Sequence, residues 1–225
     1  MKILKNYNLL KHNWFNIACI AKGFVKVKDP KDLVELFKNQ IPKYNKYLII
    51  GEGSNMLFKQ NYYDGLVINL NFKSKRKLKE NKDHVYYKFD AGCNWDNVVN
   101  FCVNKNLYGI ENLSLIPGTI GAAPVQNIGA YGAEVKNVIY QLEYFDVINH
   151  KFITLSNKQC QFGYRDSIFK NDLKNKIIIT NVTLELTKKG NINLSYKTFT
   201  DKLEELNIKN PTLKDARKVV IKIRR

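Results

Sequence analysis

Apolar positions along the chain fall into short runs broken by polar turns, the rhythm of many strands and few helices. Tyr47-Leu48-Ile49-Ile50 is continuous and ends at Gly51, which predicts a short buried strand. Residues 66–70 predict a second. Residues 85–90 predict a strand that turns at Ala91-Gly92 into a helix opened by Asn94 or Asp96. Val98, Val99, Phe101 and Cys102 form that helix's apolar face, and Gly109 lies just past it. Residues 138–147 and 151–155 predict a hairpin through Ile148-Asn149-His150. Residues 177–186 predict another strand, with Val182, Leu184 and Leu186 alternating. Helical spacing occurs at Leu33, Val34, Leu36 and Phe37, behind Asp29-Pro30-Lys31-Asp32 with its first-turn proline. It recurs at the end, where Ala216, Val219, Val220 and Ile223 fall at i, i+3, i+4, i+7. There is no internal repeat. The mix predicts an α+β fold. A shift to basic and polar composition over residues 71–83 marks a boundary between subdomains 1–71 and 72–225.

Composition adjusts this picture only slightly. The chain has 225 residues, 44% of them hydrophobic and 12% aromatic, enough for a real core. It has no apolar run long enough to cross a bilayer, and its first residues lack a secretory apolar core. These features predict a cytoplasmic protein with no membrane partner, and a monomer is expected. The formal net charge of +17 raises the possibility of a nucleic-acid partner. However, Lys, Asn, Ile and Tyr are over-used together and share AT-rich codons, the basic residues are dispersed, and no nucleic-acid motif is present. The densest cluster, Lys73-Ser74-Lys75-Arg76-Lys77-Leu78-Lys79, reads as a surface loop, so no nucleic-acid partner is expected. Cys19, Cys93, Cys102 and Cys160 form no C-x-x-C pair, and His12, His84 and His150 lie far apart in polar surroundings. The expectation is no metal site, a core Cys102 and surface histidines.

Two glycine-rich segments carry the candidate chemistry. Gly51-Glu52-Gly53-Ser54-Asn55 follows a strand; its glycines permit positive φ and let backbone N–H groups converge on an anion. By itself it is equally a tight turn, and it is not a G-x-G-x-x-G opening a helix. The segment over residues 116–132 is more informative. Gly118, Gly121, Gly129 and Gly132 sit among alanines, with Pro117 and Pro124 stiffening the chain and Gln126 and Asn127 offering amides able to read a heteroaromatic edge. A long, nearly uncharged loop of small residues predicts close approach of backbone to a ligand. A third segment, Gln161-Phe162-Gly163-Tyr164-Arg165-Asp166-Ser167, sets Arg165 between Tyr164 and Asp166. Taken alone it reads as a strand-end arginine paired to Asp166. Turned into a site, Arg165 would stabilise developing negative charge.

The stretches LIIGEGSNMLF, GIENLSLIPGTIGAAPVQNIGAYGAEVK and CQFGYRDSIFK together resemble the UDP-N-acetylenolpyruvoylglucosamine reductase family, with weaker similarity from about Asn13 to the end. The family's Asn-Thr-Phe stands here as Asn13-Trp14-Phe15. The resemblance implies a two-subdomain FAD-binding module of the vanillyl-alcohol-oxidase type. In the family, NADPH reduces the flavin, which passes hydride to the enolpyruvyl double bond of a nucleotide sugar for peptidoglycan synthesis. A serine protonates the neighbouring carbon, and a glutamate and an arginine stabilise the enolate.

Carried onto this chain, the resemblance makes Arg165 the catalytic arginine. It makes Gly51, Glu52, Gly53, Ser54, Asn55, Pro117, Gly118, Thr119, Gly121, Gln126, Asn127, Gly129 and Gly132 the FAD-binding positions. Tyr131, Tyr164, Tyr196 and Arg224 become the substrate-binding positions. Family members continue for roughly another hundred residues, as the resemblance has it, whereas this sequence ends at Ile223-Arg224-Arg225, where an Arg-x-x-Lys segment begins. The serine, the glutamate and the C-terminal substrate domain are therefore expected to be absent, and turnover weak. The alternative is a non-catalytic FAD-binding remnant.

Overall fold

The computed structural model describes all 225 residues, and its two larger sheets pack against each other. The first sheet uses β1 (Ile3–Asn8), β2 (Ile20–Val27), β3 (Tyr47–Ile50) and β4 (Tyr62–Leu70), in the order β1-β2-β4-β3. β1 is antiparallel to β2, while β4 is parallel to both of its neighbours. Such a central strand is buried on both faces, so adjacent residues serve different cores. Val67 and Phe24 join Leu9, Cys19 and Ile50 on one face. Leu66, Ile68 and Val25 pack on the other against Leu33, Leu36 and Phe37. Those three come from the helix expected near Pro30, which is one short α-turn, α1 (Asp32–Glu35), widened into a π-turn over Leu36–Gln40.

The second sheet is wholly antiparallel, β10-β9-β11-β6-β5, built from β5 (Lys75–Glu80), β6 (His84–Asp90), β9 (Ile139–Asp146), β10 (Lys151–Ser156) and β11 (Ile177–Thr187). α2 (Trp95–Asn104) packs on it, with Val98, Val99 and Cys102 against Phe89, Val182 and Leu184. Asn94 is the cap, its side chain accepting the Asn97 N–H. A small hairpin, β7 (Gly129–Ala130) with β8 (Ala133–Glu134), closes the second glycine-rich loop. The chain ends in α3 (Lys197–Glu205) and α4 (Leu213–Arg224), which share a core of Phe199, Leu203, Ala216, Val219 and Val220. The two sheets meet through Leu70, Phe72, Ala91, Phe145 and Ile178 in one cluster.

Two expectations are corrected. The lysine-rich cluster at residues 73–79 is no loop: most of it is β5, an edge strand exposed along its whole length. Its apolar alternation is absent because neither face is buried, and lysines on an open edge discourage pairing with another chain. Nor are the histidines free surface groups, since all three are half-buried. His12 packs against Phe24 and hydrogen-bonds the Tyr7 hydroxyl, and burial lowers its pKa. All four cysteines are buried and unpaired.

Candidate flavin site

The first loop leaves β3 at Gly51, whose carbonyl accepts from Asn69 Nδ2 at 2.9 Å. Gly53 follows with φ +70°, seated on the preceding strand connection. A Cβ there would lie 2.0 Å from the His12 carbonyl oxygen, so no other residue fits without moving backbone. Asn13 stiffens that seat: its side chain bonds the Leu9 and Ile17 carbonyls and the Ile17 N–H. The backbone N–H groups of Glu52, Gly53, Ser54 and Asn55 donate to nothing within the protein. Successive unpaired donors in one turn form a concave nest for an anion.

The second loop lies across from the first. Gly118 has φ +120°, and a Cβ on it would point at Ser54 Oγ, 3.3 Å away. Glu52 staples the loops together: its carboxylate accepts Asn94 Nδ2 at 2.7 Å and the Gly118 N–H at 3.2 Å. The chain then recrosses α2's start, with Trp95 N–H bonded to the Gly118 carbonyl and Gly121 N–H to the Ala91 carbonyl. Thr119 bridges to Asn94, and its carbonyl ties down the Ala122 and Ala123 amides. Ser54, Asn55, Pro117, Gly118 and Gln126 line a cleft of about 290 Å³. A larger, mainly apolar cleft of about 440 Å³ adjoins it between the two sheets, and the two share Thr119, Ala122, Val125 and Lys170.

The expectation for Asn127 is overturned. Its side chain is fully buried, donates to the Gly163 carbonyl at 2.8 Å and to Glu134, and accepts the Lys136 N–H. With both amide hydrogens and one Oδ1 lone pair engaged inside the protein and no exposed surface, this amide is not presented to the cleft; it knots the loop to the segment before Arg165. Gln126 has no such partner and remains on the cleft wall.

Arg165 sits in a turn with φ 53°, not at a strand end, and does not pair with Asp166. Asp166 instead receives Asn171 Nδ2, while the Arg165 guanidinium donates to the Gly129 carbonyl at 2.7 Å. Its own carbonyl accepts Lys170 Nζ at 2.8 Å. Tyr131, two residues beyond Gly129, meets Tyr196 edge-to-face at 5.4 Å, and the Gly132 carbonyl accepts from Asn193. Arg224 reaches the other end of the loop, at the Leu115 carbonyl. Tyr164 is 83% exposed and joins none of them. Lys170 and the ion pair Asp96–Arg217 are the residues that sequence reading missed. Lys170 is one of 37 Lys and Arg with no motif to distinguish it, and the ion pair joins positions far apart in the chain.

Two sheets of this topology, with Ser54 and Asn55 lining one cleft with a small-residue loop, define a two-subdomain FAD-binding module of the vanillyl-alcohol-oxidase type. The chain belongs to the FAD binding domain family, which matches residues 21–151. It is 41% identical over its whole length to UDP-N-acetylenolpyruvoylglucosamine reductase from Flavobacterium johnsoniae, covering 66% of that protein. It is 39% identical to the Amoebophilus asiaticus enzyme of the same name, again over 66% of its length. The chain thus spans about two thirds of the length of these curated relatives. Among solved structures, the Thermus caldophilus enzyme of that name superposes over 99% of this chain and 68% of its own, with TM-score 0.70 and 21% identity. A solvent-stable cholesterol oxidase superposes over 83% of this chain and 38% of its own, with TM-score 0.59 and 12% identity. These two likenesses establish the fold.

Proposed function

We propose that this chain is the flavin-holding part of a UDP-N-acetylenolpyruvoylglucosamine reductase. The observation that carries this reading is the run of unpaired N–H groups at residues 52–55, whose Ser54 and Asn55 line the same cleft as the small-residue loop. On this reading, residues 1–71 and 72–225 act as two subdomains that close on one cofactor between their sheets. FAD, when bound, relays hydride from NADPH to the enolpyruvyl double bond of the nucleotide sugar.

The chain's own residues do the positioning. The nest at residues 52–55, with the Ser54 and Asn55 side chains, takes the cofactor diphosphate. Gln126 offers its amide to the ring edge, and the apolar wall of the larger cleft excludes water. Lys170 adds a positive charge to that wall. Arg165, steadied by the Gly129 carbonyl, presents an always-protonated planar guanidinium to the substrate carboxylate and to charge developing next to it. Tyr131, Tyr196 and Arg224 are assigned to the nucleotide-sugar side.

The test is anaerobic and stepwise. FAD is added to the purified chain, NADPH is used to bleach the flavin band, and UDP-N-acetylglucosamine enolpyruvate is then supplied. Uptake of FAD is expected, with only slow substrate-dependent return of the band; rapid return would contradict the reading of this chain as the flavin-holding part alone. A folded chain that never takes up FAD would refute the reading.

A further inference from the structure

We propose that Arg217 is a positioning residue for the flavin loop, acting through Asp96 on the backbone N–H of Leu115. The inference rests on residues 116–132 holding flavin. Leu115 immediately precedes that loop and has φ 57°, a left-handed conformation that a bulky residue keeps only when its surroundings impose it. Both of its peptide groups are held from outside. Its N–H donates to Asp96 Oδ1 at 2.6 Å, and its carbonyl accepts from Arg224 Nε at 3.3 Å. Asp96 in turn receives the fork of Arg217, Nη1 on Oδ1 at 2.6 Å and Nη2 on Oδ2 at 2.7 Å.

Arg217 and Arg224 lie two turns apart on α4, on the same face. One helix therefore sets the Leu115 N–H through a carboxylate relay and the Leu115 carbonyl directly. Trp95 completes the frame, its indole N–H bonded to the Leu113 carbonyl at 2.8 Å and its backbone N–H to the Gly118 carbonyl. The Arg217–Asp96 side chains are only 14% and 23% exposed, so solvent screens them far less than an open surface pair. The fork fixes the plane of the carboxylate as well as its charge, which a lysine cannot do. Neither Asp96 nor Arg217 lines the cleft, so their influence passes through loop geometry.

The experiment compares the unaltered chain with Arg217→Lys, Asp96→Asn and Val219→Ala. FAD affinity is read from quenching of flavin fluorescence, together with the visible band of bound flavin and the melting temperature. Arg217→Lys is expected to raise the FAD Kd roughly tenfold, the loss of about one charge-assisted hydrogen bond. It should also alter the flavin band while the chain still melts cooperatively. Asp96→Asn should do the same. Val219→Ala loosens the core beneath α4 without touching Leu115, so it should lower the melting temperature and leave Kd within about twofold. An Arg217→Lys Kd equal to that of a flavin-binding unaltered chain overturns this inference alone. So does a Val219→Ala Kd that rises as far as that of Arg217→Lys. No FAD binding by the unaltered chain overturns the flavin reading, and this inference with it.

Discussion

Gly53 illustrates how a single residue's geometry fixes the site. Its positive φ and its contact with the His12 carbonyl leave no room for a side chain. Gly53→Ala is expected to cost about 1–3 kcal/mol of stability and to lose FAD binding. Gly163→Ala, whose Cβ would meet nothing closer than 3.5 Å, should change neither. Denaturant midpoints and flavin titration check both, and an unaffected Gly53→Ala would remove the nest from the account. Glu111 supplies a pH dependence. It is buried, with Oε2 accepting the Gly109 N–H at 2.8 Å, and burial pushes its carboxyl above the ordinary value of 4.5. Above that value the folded state holds more protons than the unfolded one. This group's contribution to stability therefore falls as pH rises from 4.5 through the raised folded value. Glu111→Gln should accordingly raise the melting temperature by roughly 2–4 °C at pH 8 and by less at pH 4; an equal shift at both would deny the buried charge. In a complete version of the reductase, Arg165→Ala should slow substrate-dependent flavin reoxidation by roughly 10²–10³, as for loss of an oxyanion donor. A loss under about tenfold would remove Arg165 from the transition state.

Elements were legible in the sequence where burial imposed a period. β3, β6, β9, β10 and β11 coincide with apolar runs or alternation, and α4 with its i, i+3, i+4, i+7 positions. β5 left no trace because every residue in it is exposed, so it carries no apolar period and is set by its backbone pairing to β6. β1 is hidden similarly by its lysine and asparagines. α3 offers only Phe199 and Leu203 as buried positions, too little to mark a helix until α4 is packed against it. That dependence is testable. Phe199→Ala is expected to cost about 3–5 kcal/mol if the cavity persists, and hydrogen exchange should speed in α3 and α4 before the sheets. Uniform acceleration across β6, β9 and β11 would mean the two helices are not a separable unit.

For the whole molecule, the glycine-rich loops announced a ligand, and chain topology decided what lies between them. The sequence shows Gly118 and Ser54, but not that they face each other across a cleft. Asn127 looked like a ligand reader and proved to be a knot, because the number of its internal partners depends on Gly163, Glu134 and Lys136 folding around it. The Arg217–Asp96 pair was invisible for the same reason, since it joins residues far apart in the chain, and Lys170 because no motif sets it apart from the other lysines. The central claim is that the two sheets close on FAD. The most direct measurement is equilibrium titration of the purified chain with FAD, followed by flavin fluorescence quenching and melting temperature. One saturable site per chain and a melting temperature that climbs with FAD concentration are expected. A cooperatively folded chain that leaves flavin fluorescence and its own melting temperature unchanged would contradict the account.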